Sequence, residues 1–348
     1  MEPTVKLADL METSPLNFAI QDALIKGYQH VTYHNKIVAS ISGGSDSDVL
    51  LDLIIRCGGK DKTTFVFFNT GLEYDATKKQ LKRLEEKYGI EIQVLPPIKP
   101  IPLCVREFGQ PFWSKRVSDY ICRLQRHNFQ WEDEPFDVLY ARYPKCKAAL
   151  RWWCNAWPAG SNGKSSRFNI SYAPWLKEFM VENPPDFKIS SKCCDYAKKE
   201  PVKKFMAAGD FDLNCTGVRQ AEGGARATAY RTCYTPVNFG PDQYRPLFWM
   251  SDADKAIYDQ HYGIEHSDCY KVWSMKRTGC AGCPFGKEWE TEVALAEKYE
   301  PKFHKAMLKV FGASYEYTRR FMEFRERKKN EAVTMDCVGD LDKKGESA

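Results

Sequence analysis

The chain has 348 residues, 51 basic against 46 acidic, for a net charge of +5. That length holds one large domain or two ordinary ones, and so mild a positive charge permits an anionic ligand without requiring nucleic acid. There is no run of about 18 apolar residues, which excludes a membrane-spanning helix, and the acidic start Met1–Pro15 lacks the apolar core of a secretion signal, so a cytoplasmic location is expected.

Residues 36–40, Lys-Ile-Val-Ala-Ser, are short and β-branched and read as a buried strand. Ser-Gly-Gly-Ser-Asp-Ser follows at 42–47, then a helical run carrying Val49, Leu50, Leu51, Leu53, Ile54 and Ile55, stopped by Gly58-Gly59. A glycine pair between strand and helix lets backbone N–H groups converge on one point. The helix N-terminus adds its positive dipole end there, which makes a cradle for phosphate. The other reading of the same residues is a tight turn with a Ser or Asp cap.

A second strand is predicted over 63–70 and a helix from Asp75 to Tyr88, with Thr77, Leu81, Leu84 and Tyr88 on one stripe and Gly89 ending it. A third strand covers 90–95. Alternating strands and helices imply an α/β fold with a doubly wound, mainly parallel sheet, in which ligands sit at the carboxyl ends of the strands. Both 42–47 and the loop 69–74, Asn-Thr-Gly-Leu-Glu-Tyr, fall at such ends, which strengthens the phosphate reading.

The proline-rich stretch 96–102 breaks this pattern. Residues 103–190 are rich in Trp, Arg and Lys and read as a largely helical insert with a flexible polar loop near 160–166. Its basic and aromatic residues could stack on and neutralise a nucleic acid, or form a helical subdomain with buried tryptophans. The α/β character returns from about 210, and 288–329 is helical and charged, followed by a stretch that reads as a mobile tail. The expected division is thus 1–102 and 191–287 as two halves of a nucleotide-binding domain, 103–190 as the insert, and 288–348 as a helical C-terminal region with its tail.

Thirteen cysteines is many for a chain without a secretion signal, and metal or redox use is expected of some. Cys193-Cys194 stand in "KCCDYAKKEP", and Cys280 and Cys283 form a C-x-x-C in "GCAGCPFG". Four thiolates from two pairs suit tetrahedral zinc or an iron–sulfur cluster, and adjacent cysteines fit the larger cluster better. Cys269, eleven residues before Cys280, could replace one ligand.

"SGGSDS", "NTGLEY", "CCDYAKKEP", "CTGVRQAEGGARA" and "GCAGCPFG" occur here in the order seen in the phosphoadenosine phosphosulfate (PAPS) reductase family, within the adenine-nucleotide alpha-hydrolase, or PP-loop, superfamily. The chain resembles the iron–sulfur branch of that family, the adenylyl-sulfate reductases, over about 36–100 and 190–286. There a Cys-Cys pair, followed by a Lys and a Pro at the spacing of Lys198 and Pro201, precedes a C-x-x-C by about eighty residues; here Cys280 follows Cys194 by 86 positions.

The resemblance implies that Cys193, Cys194, Cys280 and Cys283 hold a 4Fe-4S cluster, with Lys198 offsetting its charge. It places the nucleotide phosphates on Ser42, Gly43, Gly44, Asp46 and Ser47, with Ser45 standing where reductases usually carry Lys. Thr70 and Gly71 would lie near the adenosine, and Gly217, Arg219 and Arg226 would close over the phosphosulfate end, where guanidinium forks suit oxyanions. Only Cys337 is placed like the family nucleophile, although the Glu-Cys-Gly-Leu-His ending is absent and Cys337 lies 54 positions beyond Cys283.

Three functions follow from the resemblance. The first is reduction of adenylyl sulfate or PAPS to sulfite, with a thiol reductant such as thioredoxin. The second is ATP-dependent sulfur insertion into DNA or tRNA, with Mg²⁺ accompanying the triphosphate. The third is a regulator that senses nucleotide or redox state without catalysis.

Overall fold

The computed structural model describes residues 5–160, 163–223 and 229–345, with side chains described as far as residue 332. The chain divides into two compact units: unit 1 is Met1–Ile101, Cys194–Ala281 and Thr291–His304, and unit 2 is Pro102–Cys193, Gly282–Glu290 and Lys305–Ala348. No helix of the described residues is long and apolar enough to cross a membrane.

Unit 1 is built on a sheet ordered β3-β2-β1-β4-β6-β5. Its strands are β1 Ile37–Ser40, β2 Thr63–Phe68, β3 Ile92–Leu95, β4 Leu213–Cys215, β5 Tyr234–Thr235 and β6 Asp242–Tyr244. Neighbours run parallel except β5, which is antiparallel to β6. This is the doubly wound, mainly parallel sheet that the alternation of periods predicts. β1 is central, with Ile37 registered against Thr63 on one side and Leu213 on the other. Ile37, Val38 and Ala39 are therefore fully buried, as their unbroken apolar run requires.

The helices α1 Leu7–Glu12, α2 Phe18–Tyr33, α3 Ser45–Arg56 and α4 Asp75–Tyr88 belong to the same unit. Ile20, Leu24, Leu50, Leu53, Phe65 and Leu213 meet in one core, where each fully buried aliphatic or aromatic side chain contributes about 1.5–3 kcal/mol. α4 ends at Gly89, whose φ of +58° is the left-handed stop that a residue with a Cβ resists. Strand order reverses at β1, with β2 and β3 on one side and β4 on the other. That reversal opens a crevice at the carboxyl ends of β1 and β4.

Unit 2 is helical, with α5 Ile101–Phe108, α6 Lys115–Gln125, α7 Phe136–Arg142, α8 Lys147–Trp153 and α9 Leu176–Glu182. Phe112, Trp131, Trp152, Trp153, Phe179 and Phe321 form its core. The paired tryptophans are thus packing residues: Trp152 stacks on Tyr120, and Trp153 Nε1 donates to the Glu132 carbonyl at 2.8 Å. The last helix runs Pro301–Gly345, so its backbone takes in the stretch read from sequence as a mobile tail as far as residue 345, and 346–348 lie outside the described residues. Of the polar loop near 160–166, positions 161 and 162 lie outside the described residues.

Candidate functional site

β1 ends at Ser40 and α3 begins at Ser45, and the turn between them is shaped from within. Gly43 has φ +68°, and a Cβ there would stand 2.7 Å from the Thr77 methyl group. Ser47 Oγ donates to the Gly44 carbonyl at 2.7 Å and accepts the Ser42 N–H at 3.2 Å. The loop is thereby held open in front of the α3 N-terminus, where the helix dipole favours an anion.

The loop after β4 closes the other side. A Cβ on Gly217 would lie 2.9 Å from the Asp46 carbonyl oxygen, so glycine is what lets the two backbones approach. Arg219, 7% exposed, donates from Nε to Asp46 Oδ1 and from Nη1 to Asp252 Oδ1, both at 2.8 Å. Burial pushes the Asp46 carboxyl up from its ordinary value, and the Arg219 charge opposes that.

Between the two loops lies a cavity of about 430 Å³. Ser42, Gly44, Ser45, Asp46, Ser47, Gly217 and Arg219 line it. Asp252, Tyr270, Lys276, Arg277 and Thr278 line it too, and sequence reasoning missed these five. Tyr270 Oη is 2.8 Å from Thr278 Oγ1 and accepts the Thr278 N–H at 3.1 Å, which fixes the basic segment against the cavity. The basic pair Lys276-Arg277, one residue short of the glycine that precedes the C-x-x-C, was the available signal.

A buried polar network supports α3 from behind. Asp48 is fully buried; its Oδ2 lies 2.9 Å from His266 Nδ1 and accepts from Gln80 Nε2 at 3.1 Å. His266 Nε2 is 2.9 Å from Asp259 Oδ2, and Lys255 Nζ donates to the same oxygen at 2.7 Å. Burial alone would lower the His266 pKa, but hydrogen bonds to Asp259 and Asp48 outweigh it and raise the value to about 9. Burial raises Asp48 to about 6 against the pull of His266.

A second group gathers at the end of β2. Thr70 donates to buried Glu73 at 2.5 Å, and Glu73 feels the charge of Lys198. Burial pushes the Cys280 thiol up, while the charge and hydrogen bond of Lys198 pull it down and Cys194 adds a smaller upward push. Cys194 precedes a π-helical turn, Asp195–Lys199, which carries Lys198. The Ala281 N–H donates to the Leu72 carbonyl at 3.2 Å and ties the C-x-x-C loop to the loop after β2. Thiols beside a lysine ammonium are suitable donors for a thiolate-bound metal group. Among the described residues, however, no group of three or more His, Cys, Asp or Glu side chains is gathered to hold a metal ion.

The remaining residues named from sequence fall as follows. Cys193, buried, and Cys283 belong to unit 2, whereas Cys194 and Cys280 belong to unit 1. Cys269 is buried and hydrogen-bonded to Ser267 and Thr77, and its thiol is pushed up to about 11, chiefly by burial. Thr70 and Gly71 stand at the end of β2 and are not among the residues lining the 430 Å³ cavity. Arg226 lies outside the described residues. Cys337 falls on the backbone of the Pro301–Gly345 helix, and its side chain lies outside them.

Residues 36–137 match the family model of the phosphoadenosine phosphosulfate reductase domain. The uncharacterized protein MJ0066 of Methanocaldococcus jannaschii is 34% identical over 281 residues, covering 76% of this chain and 42% of the relative. Adenosine 5'-phosphosulfate reductase 2 of Bacillus subtilis is 27% identical over 119 residues, 34% of this chain and 49% of that one. Adenosine 5'-phosphosulfate reductase 1 of the same organism is 29% identical over 126 residues, 36% and 50%. The chain thus spans half or less of the length of these curated relatives. Its matched segment contains β1, the 42–47 loop and α3, which build one wall of the cavity, together with β2. Residues 36–137 thus form a domain of the PAPS reductase family.

Proposed function

We propose that this protein is an enzyme that binds an adenine nucleotide with its phosphates on residues 42–47 and carries out thiol-dependent reduction of adenylyl sulfate or PAPS to sulfite. One observation carries this reading. The 42–47 loop at the α3 N-terminus and buried Arg219 line one cavity at the carboxyl ends of β1 and β4. Backbone N–H groups, a helix dipole and the basic pair Lys276 and Arg277 there suit the charge on a leaving nucleotide phosphate.

In the reaction, a thiolate attacks the sulfur of the sulfonucleotide. The S–O bond to the phosphate breaks, and AMP or its 3'-phosphorylated form leaves with the bonding pair. The enzyme cysteine then carries a thiosulfonate. A thiolate of the reductant, such as thioredoxin, attacks that cysteine's sulfur, releases sulfite and leaves a disulfide, which a second thiol reduces. Cys337 is the candidate nucleophile by its place in the sequence. Cys193, Cys194, Cys280 and Cys283 would hold a 4Fe-4S cluster, which would supply charge and redox chemistry beside Lys198.

A second reading rests on a specific feature: three carboxylates, Asp46, Glu222 and Asp252, line the same cavity. Carboxylate oxygens suit Mg²⁺, the companion of a triphosphate. This favours ATP cleavage between the α and β phosphates to activate an acceptor such as DNA or tRNA for thiolation.

The two separate in one experiment on protein purified without oxygen. Incubated with adenylyl sulfate or PAPS and a thiol reductant, it is expected to release sulfite and to carry a sulfite-mass adduct on one cysteine. AMP and pyrophosphate from ATP without any sulfite would transfer the assignment to the second reading. Neither product would refute both.

A further inference from the structure

Unit 2 holds a cavity of its own, about 240 Å³ in volume, whose lining includes Arg123, Arg126, His127, Lys145, Ser190 and Lys192. Three cross-links build it. Gln125 Nε2 donates to the Phe187 carbonyl and Gln125 Oε1 accepts the Ile189 N–H, both at 2.8 Å, which pins 187–190 to the end of α6. The Cys146 thiol donates to the Arg123 carbonyl at 3.6 Å and holds the Lys145 segment beside the same helix.

The lining is strongly cationic. Its one carboxylate, Asp119, lies 3.0 Å from Arg123 and offsets only that residue. Arg126 donates to the Cys122 carbonyl within its own helix at 3.4 Å, and neither Arg126 nor Lys145 has a carboxylate against it among the described residues. Ser190, 1% exposed, accepts the Lys192 N–H at 3.1 Å, which leaves its hydroxyl proton for an acceptor in the cavity. Such a set of donors selects an oxyanion.

The cations continue along α6. Arg116, Arg123 and Arg126 share one stripe, and Arg116 to Arg126 spans about 15 Å at the helical rise. At its far end the Arg116 guanidinium lies 4.3 Å from the ring centre of Phe168, which is 39% exposed, with Arg167 at 5.6 Å from the same ring. A compact anion would need the cavity alone. A row of this length beside an exposed aromatic matches a linear polyanion that also carries flat bases.

We propose that this face binds a single-stranded polynucleotide, with one backbone phosphate seated among Arg126, Lys145, Lys192 and Ser190 and the chain running along α6 towards Phe168. The site does not depend on the nucleotide reading of unit 1.

The test uses the full chain and a fluorescent oligouridylate of about 20 nucleotides, followed by anisotropy at several salt concentrations. Arg126→Gln with Lys145→Gln is expected to weaken binding at least tenfold near 0.1 M salt and to shrink the log–log salt slope by about 0.7, the value for one lost phosphate contact. Lys79→Gln with Lys82→Gln, exposed on α4, removes the same charge and is expected to leave binding unchanged. Arg116→Gln alone is expected to weaken binding from the other end of the row, and it decides the matter should circular dichroism show the double variant unfolded. Equal loss in the α4 control, no loss in the α6 variants, or binding of inorganic phosphate without the oligonucleotide would each overturn the proposal.

Discussion

Arg219 Nε lies 2.8 Å from Asp46 Oδ1, so one guanidinium ties the loop after β4 to the first turn of α3. The same side chain reaches Asp252 at 2.8 Å. Its charge is therefore already matched by carboxylates, and Lys276 and Arg277 are the further cations in the cavity lining.

Replacing Arg219 by Ala strands Asp46 in a largely buried position without its counter-charge. The variant is expected to lose about 2–3 kcal/mol of stability in urea denaturation, below the full penalty for a fully buried pair because Asp46 and Asp252 retain some access to water. Arg219→Lys keeps the charge but not the fork and is expected to fall between wild type and Ala. Equal stability of all three proteins would show that the pair does not hold the loops together.

The His266 network makes a pH prediction. Its folded pKa of about 9 lies above the ordinary 6.5, so its stabilisation is full below pH 6.5 and fades as pH rises towards 9. Asp48, near 6, is mostly ionised throughout that window and does not offset the trend. Stability is expected to fall by up to roughly 3 kcal/mol between pH 6.5 and 9, and His266→Gln is expected to flatten the profile. A wild-type profile that is already flat there would refute the assignment of a protonated His266.

The thiols give a third prediction. Protein purified without oxygen is expected to be brown and to contain iron and acid-labile sulfide. Cys280→Ser is expected to bleach it, whereas Cys57→Ser is expected to keep the colour, since Cys57 is buried in the unit 1 core and its thiol is pushed up to about 12, first of all by burial. Stoichiometric zinc without iron would exclude the cluster. Full colour in Cys280→Ser would exclude that ligand.

The sheet of unit 1 was legible because its signals are local. β1 is an unbroken apolar run, and α4 carries Leu81 and Leu84 on one stripe with Gly89 as its stop. The glycines of the 42–47 loop were equally visible, because a left-handed Gly43 and a close approach at Gly44 are demands that few other residues meet. Tyr270, Lys276, Arg277 and Thr278 were not. Tyr270 sits on the short helix Asp268–Lys271 and the other three on irregular backbone, all more than 220 residues from the loop, and only the tertiary path of the chain brings them to the cavity. His266 escaped notice for the same reason, since its partners Asp48 and Asp259 come from two different helices. In unit 2 the basic-aromatic composition had two readings, and the paired tryptophans took the packing role while Arg123, Arg126 and Lys145 stayed at the surface.

The central claim is that the 42–47 loop receives nucleotide phosphate. A Cβ on Gly44 would stand 3.2 Å from both Ser42 Oγ and Tyr270 Oη, inside the space that the phosphate needs. Calorimetric titration of adenylyl sulfate and of ATP into wild type and Gly44→Val, with the fold of each checked by circular dichroism, tests this most directly. The account predicts saturable binding of at least one nucleotide to wild type and loss of at least tenfold in affinity in the folded variant, on the order of 1.4 kcal/mol or more. Undiminished binding to folded Gly44→Val, or no binding of either nucleotide to wild type, would contradict it.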